Sequence, residues 1–277
     1  MWRENLDSLV RMALQEDLPN GDITSENIIP PESISRAIIL AKEDGILAGI
    51  YVAEKVFKKI DPSVSFEIHR RDGGEIRKGD RLAALKGLSI SLLMGERTAL
   101  NFLQRLSGIA TTTNKFVRAL ANTKTKVLDT RKTTPGMRSL EKYAVKMGGG
   151  INHRLNLSEM VMIKDNHLKI TGSLSKAVRL ARKKIKPGIK IEVETTNLEQ
   201  VQEAVESGAD IIMLDNMSLV RMKEVVDWVN GRVPIEVSGN ITLVKAKKIA
   251  QIGVDYISVG ALTHSYESLD ISMEFLG

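Results

Sequence analysis

A strand–helix–strand unit in the second half of the chain shows how most of the chain is organised. Residues 190–216 read KIEVETTNLEQVQEAVESGADIIMLDN. Residues 190–193 and 210–214 contain Ile, Val, Met and Leu and are candidates for buried strands, and residues 198–206 between them carry apolar side chains at helical spacing. An acidic residue follows each strand directly. The unit therefore predicts two parallel strands joined by a helix, with a carboxylate at the end of each strand.

The same alternation continues on both sides of this unit. The strand candidates are 126–128, 160–163, 190–193, 210–214, 234–237 and 256–259, and the helical stretches are 138–147, 173–184, 198–206, 218–229 and 242–251. Strands that alternate with helices predict a parallel sheet, either doubly wound or closed as a β/α barrel. The G-x-G-x-x-G pattern of a dinucleotide-binding doubly wound sheet does not follow the first strand.

The residues that follow the strands favour the barrel. Polar residues or glycine stand at 129–132, 164–167, Glu194, 215–216, 238–240 and Gly260. In β/α barrels the loops at the C-terminal strand ends build the active site, so these positions fit one barrel mouth. Before the barrel, residues 35–88 carry short extended runs between glycines. These runs predict a smaller α+β unit, and the periodicity of residues 90–121 after it predicts two helices with a break at Gly108.

Composition limits the classes of protein that the chain can belong to. With 277 residues, 43% of them hydrophobic and 27% charged, one large and one smaller globular domain are expected. The chain has no cysteine, which excludes disulfides, thiolate metal ligands and cysteine nucleophiles. Because residues 1–5 carry charge and no apolar run follows them, neither a signal peptide nor a membrane span is expected, and the predicted location is the cytoplasm.

Positive charge is concentrated in one segment. Between residues 131 and 154 a single acid, Glu141, stands among Arg131, Lys132, Arg138, Lys142, Lys146 and Arg154. We expect Lys142 and Lys146, four residues apart on a predicted helix, to lie with Arg138 on a solvated face. Arg131 and Lys132 instead follow a strand, where a guanidinium fork and an ammonium would bind a small, highly charged anion.

Two further sets of residues indicate phosphate chemistry. Glu194 and Asp215 end successive strands in this basic mouth, where they could hold magnesium or ribose hydroxyls. An ion pair with Lys132 or Lys164 is the alternative, and the sequence leaves both open. The loop 238–240 and Gly260 follow the last two strands, a position where β/α barrels commonly bind phosphate.

Several long motifs resemble one enzyme family. The stretches DTRKTTPG (129–136), EKYAV (141–145), NHR (152–154) and IKDNH (163–167) resemble quinolinate phosphoribosyltransferase, the carboxylating nicotinate-nucleotide pyrophosphorylase. The resemblance extends to 95–101, 107–111, 192–194, 214–217, 237–240 and 259–265, which covers nearly the whole chain in order. One departure is Asn240 where the family often has glycine, although asparagine tolerates left-handed backbone. A second is Tyr266, which leaves the packing of the C-terminus open.

The resemblance implies an α/β fold with an N-terminal α/β-sandwich domain, residues 1–110, followed by an open β/α barrel. The barrel would occupy residues 111–277, with the C-terminal tail packing back on the N-terminal domain. It also implies a homodimer or a multiple of dimers, such as a hexamer, in which Arg97 of one subunit completes the barrel mouth of its neighbour.

The implied activity joins quinolinate to phosphoribosyl pyrophosphate in NAD biosynthesis, releasing pyrophosphate and carbon dioxide. Catalysis would depend on Lys132, Lys164, Glu194 and Asp215. The implied quinolinate ligands are Arg97, Arg131, His153, Arg154 and Lys164, the implied phosphate ligands are Ser238, Gly239, Asn240 and Gly260, and the implied ligands of the cofactor Mg²⁺ are Glu194 and Asp215.

Three alternatives compete with this interpretation. A relative on the same fold that acts on another ring acid should lose part of the set formed by Arg131, Arg154 and Lys164, which is complete here. A nucleic-acid-binding module is indicated only by the basic run 182–186, which lacks neighbouring aromatic residues and is better explained as a solvated helix end. An inactive anion-binding subunit would not need Glu194 and Asp215. Neither nucleic acid nor membrane is therefore expected as a partner.

Overall fold

The computed structural model describes residues 6–276, which form eleven helices and twelve strands. The helices are α1 (Leu6–Asp17), α2 (Ile23–Ile28), α3 (Ile50–Ile60), α4 (Ser89–Ala119), α5 (Arg138–Met147), α6 (Asp165–Thr171), α7 (Leu174–Lys184), α8 (Leu198–Glu206), α9 (Leu219–Val229), α10 (Leu243–Ile252) and α11 (Ala261–His264). The strands are β1 (Ile34–Ala41), β2 (Gly45–Ile46), β3 (Ser65–Ile68), β4 (Glu75–Ile76), β5 (Arg81–Leu88), β6 (Lys126–Leu128), β7 (Val161–Ile163), β8 (Ile191–Thr195), β9 (Ile211–Asp215), β10 (Ile235–Ser238), β11 (Tyr256–Ser258) and β12 (Ile271–Leu276).

The chain forms two compact units that interleave along the sequence. The second unit is Lys115–Lys132 with Gly150–His264, and the first contains the remaining described residues, including Thr133–Gly149. A segment between β6 and β7 thus belongs to the first unit, whereas the sequence interpretation placed a single boundary after residue 110. Among the described residues no helix is long and apolar enough to cross a membrane.

The first unit is built on an antiparallel sheet in the order β12-β1-β5-β3. Its last strand is the C-terminal segment, which pairs with β1 from Arg36 opposite Leu276 to Ala41 opposite Ile271. Helix α3 packs on this sheet through Phe57, whose ring centroid lies 5.9 Å from that of Phe66 in β3. Residues 37–39 of β1 and residues 82–83 of β5 are all buried, so both faces of the sheet are covered along this part of the two strands.

The second unit is a six-stranded parallel sheet with helices between its strands, in the order β6-β11-β10-β9-β8-β7. All six predicted barrel strands are present. In the described chain the two edge strands, β6 and β7, do not pair with each other, so the barrel is open. Ile151 lies beside β6: its amide donates to Val127 O at 2.9 Å and its carbonyl accepts from Asp129 N at 3.2 Å. The predicted α/β fold class is confirmed.

Helix α4 corrects one prediction made from the sequence. The periodicity of residues 90–121 had indicated two helices with a break at Gly108, but α4 runs unbroken from Ser89 to Ala119. A Cβ atom at Gly108 would lie 2.0 Å from the carbonyl oxygen of Glu267. The glycine is therefore required for close approach of another backbone segment, which does not interrupt the helix.

Helix α5 corrects a second prediction. Lys142 was expected on a solvated face together with Lys146, yet Lys142 is buried and only Lys146 is exposed. Arg138, predicted on the same face, is half-buried and donates from Nε to Thr133 Oγ1 at 2.9 Å. Helix α5 packs against segments that are distant in sequence, which the local pattern does not contain: Arg105 of α4, for example, pairs with Glu141. A Cβ at Gly148, which ends α5, would lie 2.3 Å from Ala110 O.

Candidate active site

One cavity of about 770 Å³ in the second unit collects residues from the C-terminal ends of all six parallel strands. Every predicted site residue except Arg97 lines it: Arg131, Lys132, His153, Arg154, Lys164, Glu194, Asp215, Ser238, Gly239, Asn240 and Gly260. Arg97 lies on α4 in the first unit, where its side chain is exposed. The guanidinium of Arg97 makes no hydrogen bond or ion pair with any residue in 6–276.

Strand periodicity explains which side chains reach the cavity. Successive residues of a strand point to opposite faces, so positions two apart share a face. The inward pairs are Met162 with Lys164, Glu192 with Glu194, Met213 with Asp215 and Glu236 with Ser238. The second member of each pair stands at the mouth. Most first members lie deeper in the barrel. Barrel interiors are usually filled by apolar side chains, so the glutamates among these first members are unusual.

The basic part of the cavity centres on Arg131 and Arg154. Arg154 donates from Nη1 to Met160 O at 2.9 Å, which fixes the direction of its guanidinium. Burial lowers the pKa of Arg154, and the positive charge of Arg131 lowers it further. The positive charges of these two guanidinium groups repel each other. An anion bound beside them would offset this repulsion, so the pair forms an anion-binding site.

Lys164 and Glu194 form an ion pair across the ends of β7 and β8. The ion pair that the sequence had left as an alternative is thus present in the structure. Asp215 accepts a hydrogen bond from Asn216 Nδ2 at 3.0 Å. No acid in the described chain pairs with the Lys132 ammonium, while the Lys132 carbonyl accepts from Thr263 Oγ1 at 2.8 Å. Lys132 is therefore an exposed cation on a fixed backbone.

The loop after β10 has the geometry of an anion cradle. Gly239 has φ 101° and Asn240 has φ 48°. Asn240 therefore adopts the left-handed backbone conformation that asparagine tolerates. Helix α10 begins just beyond, capped by Thr242, whose hydroxyl accepts from Lys245 N at 3.2 Å. Lys245 Nζ donates to Gly239 O at 2.8 Å and holds the loop. Sequence reasoning had not identified Lys245.

A buried polar cluster below the mouth was also missed. His153 Nε2 lies 3.0 Å from Glu192 Oε2 and 3.5 Å from Glu236 Oε2, and both glutamates are at most 1% exposed. Burial raises the pKa of Glu192 to about 7 and that of Glu236 to about 8. Oxygen Oε1 of each glutamate is buried and has no hydrogen-bond partner when both are ionised. A proton held on Glu236 and shared with Glu192 would satisfy both oxygens.

The spacing of the cluster matches a metal site, because one donor atom from each of the three residues lies within 4.8 Å of the others. The histidine argues against this use. Its Nδ1 accepts the backbone N–H of Arg154 at 2.8 Å, and a backbone amide can only donate. A metal on Nε2 would therefore require the ring to lose its last proton. The signal that could have revealed Glu192 and Glu236 is their position, two residues before Glu194 and Ser238 on the inward face.

Comparison with known families decides the classification of this chain. The family model for the C-terminal domain of quinolinate phosphoribosyl transferase matches residues 109–274, and the model for its N-terminal domain matches residues 22–107. The chain belongs to the quinolinate phosphoribosyltransferase family. The resemblance inferred from the motifs is confirmed.

Relatives from bacteria and plants match over nearly the whole chain. The probable nicotinate-nucleotide pyrophosphorylase (carboxylating) of Bacillus subtilis (strain 168) is 44% identical over 97% of this chain and 93% of its own. The mitochondrial quinolinate phosphoribosyltransferase (decarboxylating) 2 of Nicotiana glauca is 43% identical over 98% of this chain and 82% of its own. The crystal structure of NadC from Streptococcus pyogenes has a TM-score of 0.95 at 43% identity, covering 99% of this chain and 98% of that one.

Proposed function

We propose that the protein is a decarboxylating quinolinate phosphoribosyltransferase of NAD biosynthesis. It joins quinolinate to phosphoribosyl pyrophosphate and releases nicotinate mononucleotide, pyrophosphate and carbon dioxide. The observation that carries the proposal is the composition of one cavity, where Arg131, Arg154 and Lys164 lie together with the loop that contains Gly239. Family membership and the similarity to enzymes of this name support it.

Quinolinate would bind at the basic side of the cavity. Its two adjacent carboxylates would be met by the guanidinium groups of Arg131 and Arg154 and by the Lys164 ammonium. Lys164 is paired with Glu194, so substrate binding would exchange one anion for another at this ammonium. His153 lines the same side and was predicted as a further ligand.

Phosphoribosyl pyrophosphate would bind across the other strand ends. Its 5′-phosphate fits the cradle formed by Ser238, Gly239, Asn240 and Gly260 at the N-terminus of α10. A Cβ at Gly260 would lie 3.2 Å from Lys132 Cδ, so the Lys132 side chain passes directly over this glycine. The Lys132 ammonium can therefore reach a phosphate or pyrophosphate group beside the cradle.

Magnesium fits the donors at the ends of β8 and β9. Glu194 and Asp215 are partly exposed carboxylates on adjacent strands, and these two hard oxygen donors would hold Mg²⁺. When bound, the ion would offset the charge that develops on the departing pyrophosphate. The same carboxylates could hold the ribose hydroxyls.

Catalysis in this site would come from positioning and charge. The pyridine nitrogen of quinolinate attacks the anomeric carbon as pyrophosphate leaves, and Lys132 and Lys164 stabilise the negative charge of the reacting groups. Once alkylated, the cationic ring nitrogen stabilises the electron pair left on C2 when the 2-carboxylate departs as carbon dioxide, and C2 then takes up a proton from solvent. No covalent nucleophile is needed, in agreement with a chain that lacks cysteine.

The assembly and location remain predictions. An exposed Arg97 without a partner in residues 6–276 suits a residue that completes the site of a neighbouring subunit, in a dimer or a multiple of dimers. The expected location is the cytoplasm, although relatives named for mitochondria and chloroplasts exist.

The activity can be tested by incubating the full chain with quinolinate, phosphoribosyl pyrophosphate and magnesium. Nicotinate mononucleotide should form in equal amount to carbon dioxide released from the 2-carboxylate. Nicotinate should be a poorer substrate by about 10³-fold or more in kcat/KM, because one missing carboxylate leaves buried donors unpaired. Lys164→Ala should be inactive and Lys169→Ala, an exposed lysine on α6, should serve as the matched control. Comparable efficiency on both acids would contradict the dicarboxylate assignment.

A further inference from the structure

Both ring nitrogens of His153 form hydrogen bonds within the protein. Nδ1 accepts the backbone N–H of Arg154 at 2.8 Å, so Nδ1 carries no proton. The proton of the neutral ring is therefore on Nε2, which lies 3.0 Å from Glu192 Oε2. The His153 side chain is only 7% exposed. The hydrogen bonds thus determine the tautomer, and the single ring N–H points at Glu192.

This tautomer has a consequence for substrate binding. A histidine that binds a carboxylate must offer an N–H to it, either as imidazolium or through a proton that is not used elsewhere. In His153 the Arg154 amide occupies one nitrogen, and the N–H of the other nitrogen is donated to a buried carboxylate. The substrate would have to displace one of these bonds to be bound by the ring.

The hydrogen bonds of His153 do fix the segment that carries Arg154. Asp129, fully buried at the end of β6, accepts from His153 N at 2.9 Å and from Asn152 Nδ2 at 2.7 Å. Glu192 on β8 holds the ring from the other side. Residues 152–154 are therefore anchored to two separate strands, and the guanidinium of Arg154 is directed into the cavity.

We infer that His153 is a positioning residue, a neutral ring oriented by Glu192 that holds Arg154 for the substrate dicarboxylate, and that it is not itself a carboxylate-binding cation. Glu236, 3.5 Å from Nε2, completes the acidic side of the ring. This inference rests on the proposed function and assigns the way in which that site binds its dicarboxylate.

The tautomer can be measured directly in the full chain. The protein has four histidines, so two-bond ¹H–¹⁵N spectra are simple to assign, with His153→Gln identifying the His153 signals by their loss. At pH 7 one nitrogen should resonate as protonated and the other as unprotonated, both with and without saturating quinolinate. Two protonated nitrogens in the quinolinate-bound protein would overturn the inference.

Two variants of Glu192 separate hydrogen bonding from charge. Glu192→Gln retains an oxygen that can accept the Nε2 proton, whereas Glu192→Leu cannot. Glu192→Leu should raise the KM for quinolinate on the order of tenfold or more, with a smaller change in the KM for phosphoribosyl pyrophosphate. Glu192→Gln should recover most of this loss. A Gln variant as impaired as the Leu variant would show that the negative charge matters, as an imidazolium requires, and would overturn the inference.

The same experiments keep this inference separate from the proposed function. If the wild-type protein neither binds quinolinate nor forms nicotinate mononucleotide, the proposed function fails whatever tautomer is observed. If turnover is present and His153 is charged, only the positioning role fails. Should Glu192→Leu not fold, the spectrum of the wild-type protein still decides the charge state of the ring.

Discussion

Replacing Gly239 with alanine tests the proposed phosphate cradle through a single added methyl group. Gly239 has φ 101°, and a Cβ there would lie 2.2 Å from Asn216 Oδ1 and 2.4 Å from its Cγ. The Asn216 amide would have to retreat by roughly 1 Å to reach ordinary contact distance. That amide donates to Asp215 Oδ2, so the displacement reaches the proposed magnesium or ribose carboxylate.

Gly239→Ala is expected to lower both the stability of the protein and its catalytic rate. The variant Gly253→Ala serves as a control that separates the two effects. Backbone strain at positive φ is about 1–3 kcal/mol for a residue with a side chain. Gly253, which ends α10, has φ 95° but no atom within 4 Å of an added Cβ, so Gly253→Ala adds strain alone. A displacement of roughly 1 Å in an active site can reduce the rate about 100-fold.

The melting temperature measures the loss of stability, and steady-state kinetics measure the loss of catalytic rate. Each variant should lose a few degrees of Tm, because about 1 kcal/mol corresponds to roughly 2–4 °C in a protein of this size. Only Gly239→Ala should lose kcat/KM for phosphoribosyl pyrophosphate, by about 100-fold, with quinolinate binding measured by calorimetry little changed. If its kcat/KM stays within about twofold of wild type while Tm falls as in Gly253→Ala, the loop takes no part in binding that substrate.

Three further outcomes are expected. Asp215→Ala should lower activity and the response to magnesium while leaving quinolinate affinity nearly intact; loss of that affinity with a normal magnesium response would contradict the division of roles. Mixing Arg97→Ala with Lys164→Ala should restore part of the activity once subunits exchange, because hybrid dimers would contain one complete site. Verified exchange without recovery would mean that Arg97 does not serve a neighbour. Burial raises the pKa of Glu236 to about 8, so the folded protein holds a proton that the unfolded chain releases above pH 4.5. This stabilisation is complete below pH 4.5 and should be lost as the pH rises towards 8. The Tm of wild type should therefore fall more than that of Glu236→Gln between pH 6 and 9, and parallel curves would refute the raised pKa.

Local sequence was sufficient for the six barrel strands and for the strand ends at which the candidate site lies. Strand and helix periods differ, so the alternation after residue 124 predicted the six barrel strands and placed Glu194 and Asp215 at strand ends. Because parallel strands end at one edge, residues far apart in sequence could be assigned to a single mouth. The long motifs then indicated the family, which the comparisons confirmed.

Tertiary contacts decided the rest, because burial depends on which distant segment lies against a residue. Gly108 was expected to break a helix, but α4 continues through it. The glycine instead allows the backbone at Glu267 to approach the helix closely. Lys142 was assigned to solvent from its helical spacing and is buried, because α5 packs against segments distant in sequence. The motif that contains His153 could not show that its ring bonds Glu192 and the Arg154 amide. Periodicity predicts which face of a helix or strand a side chain occupies. Which distant segment, or solvent, contacts that face is determined only by the folded chain.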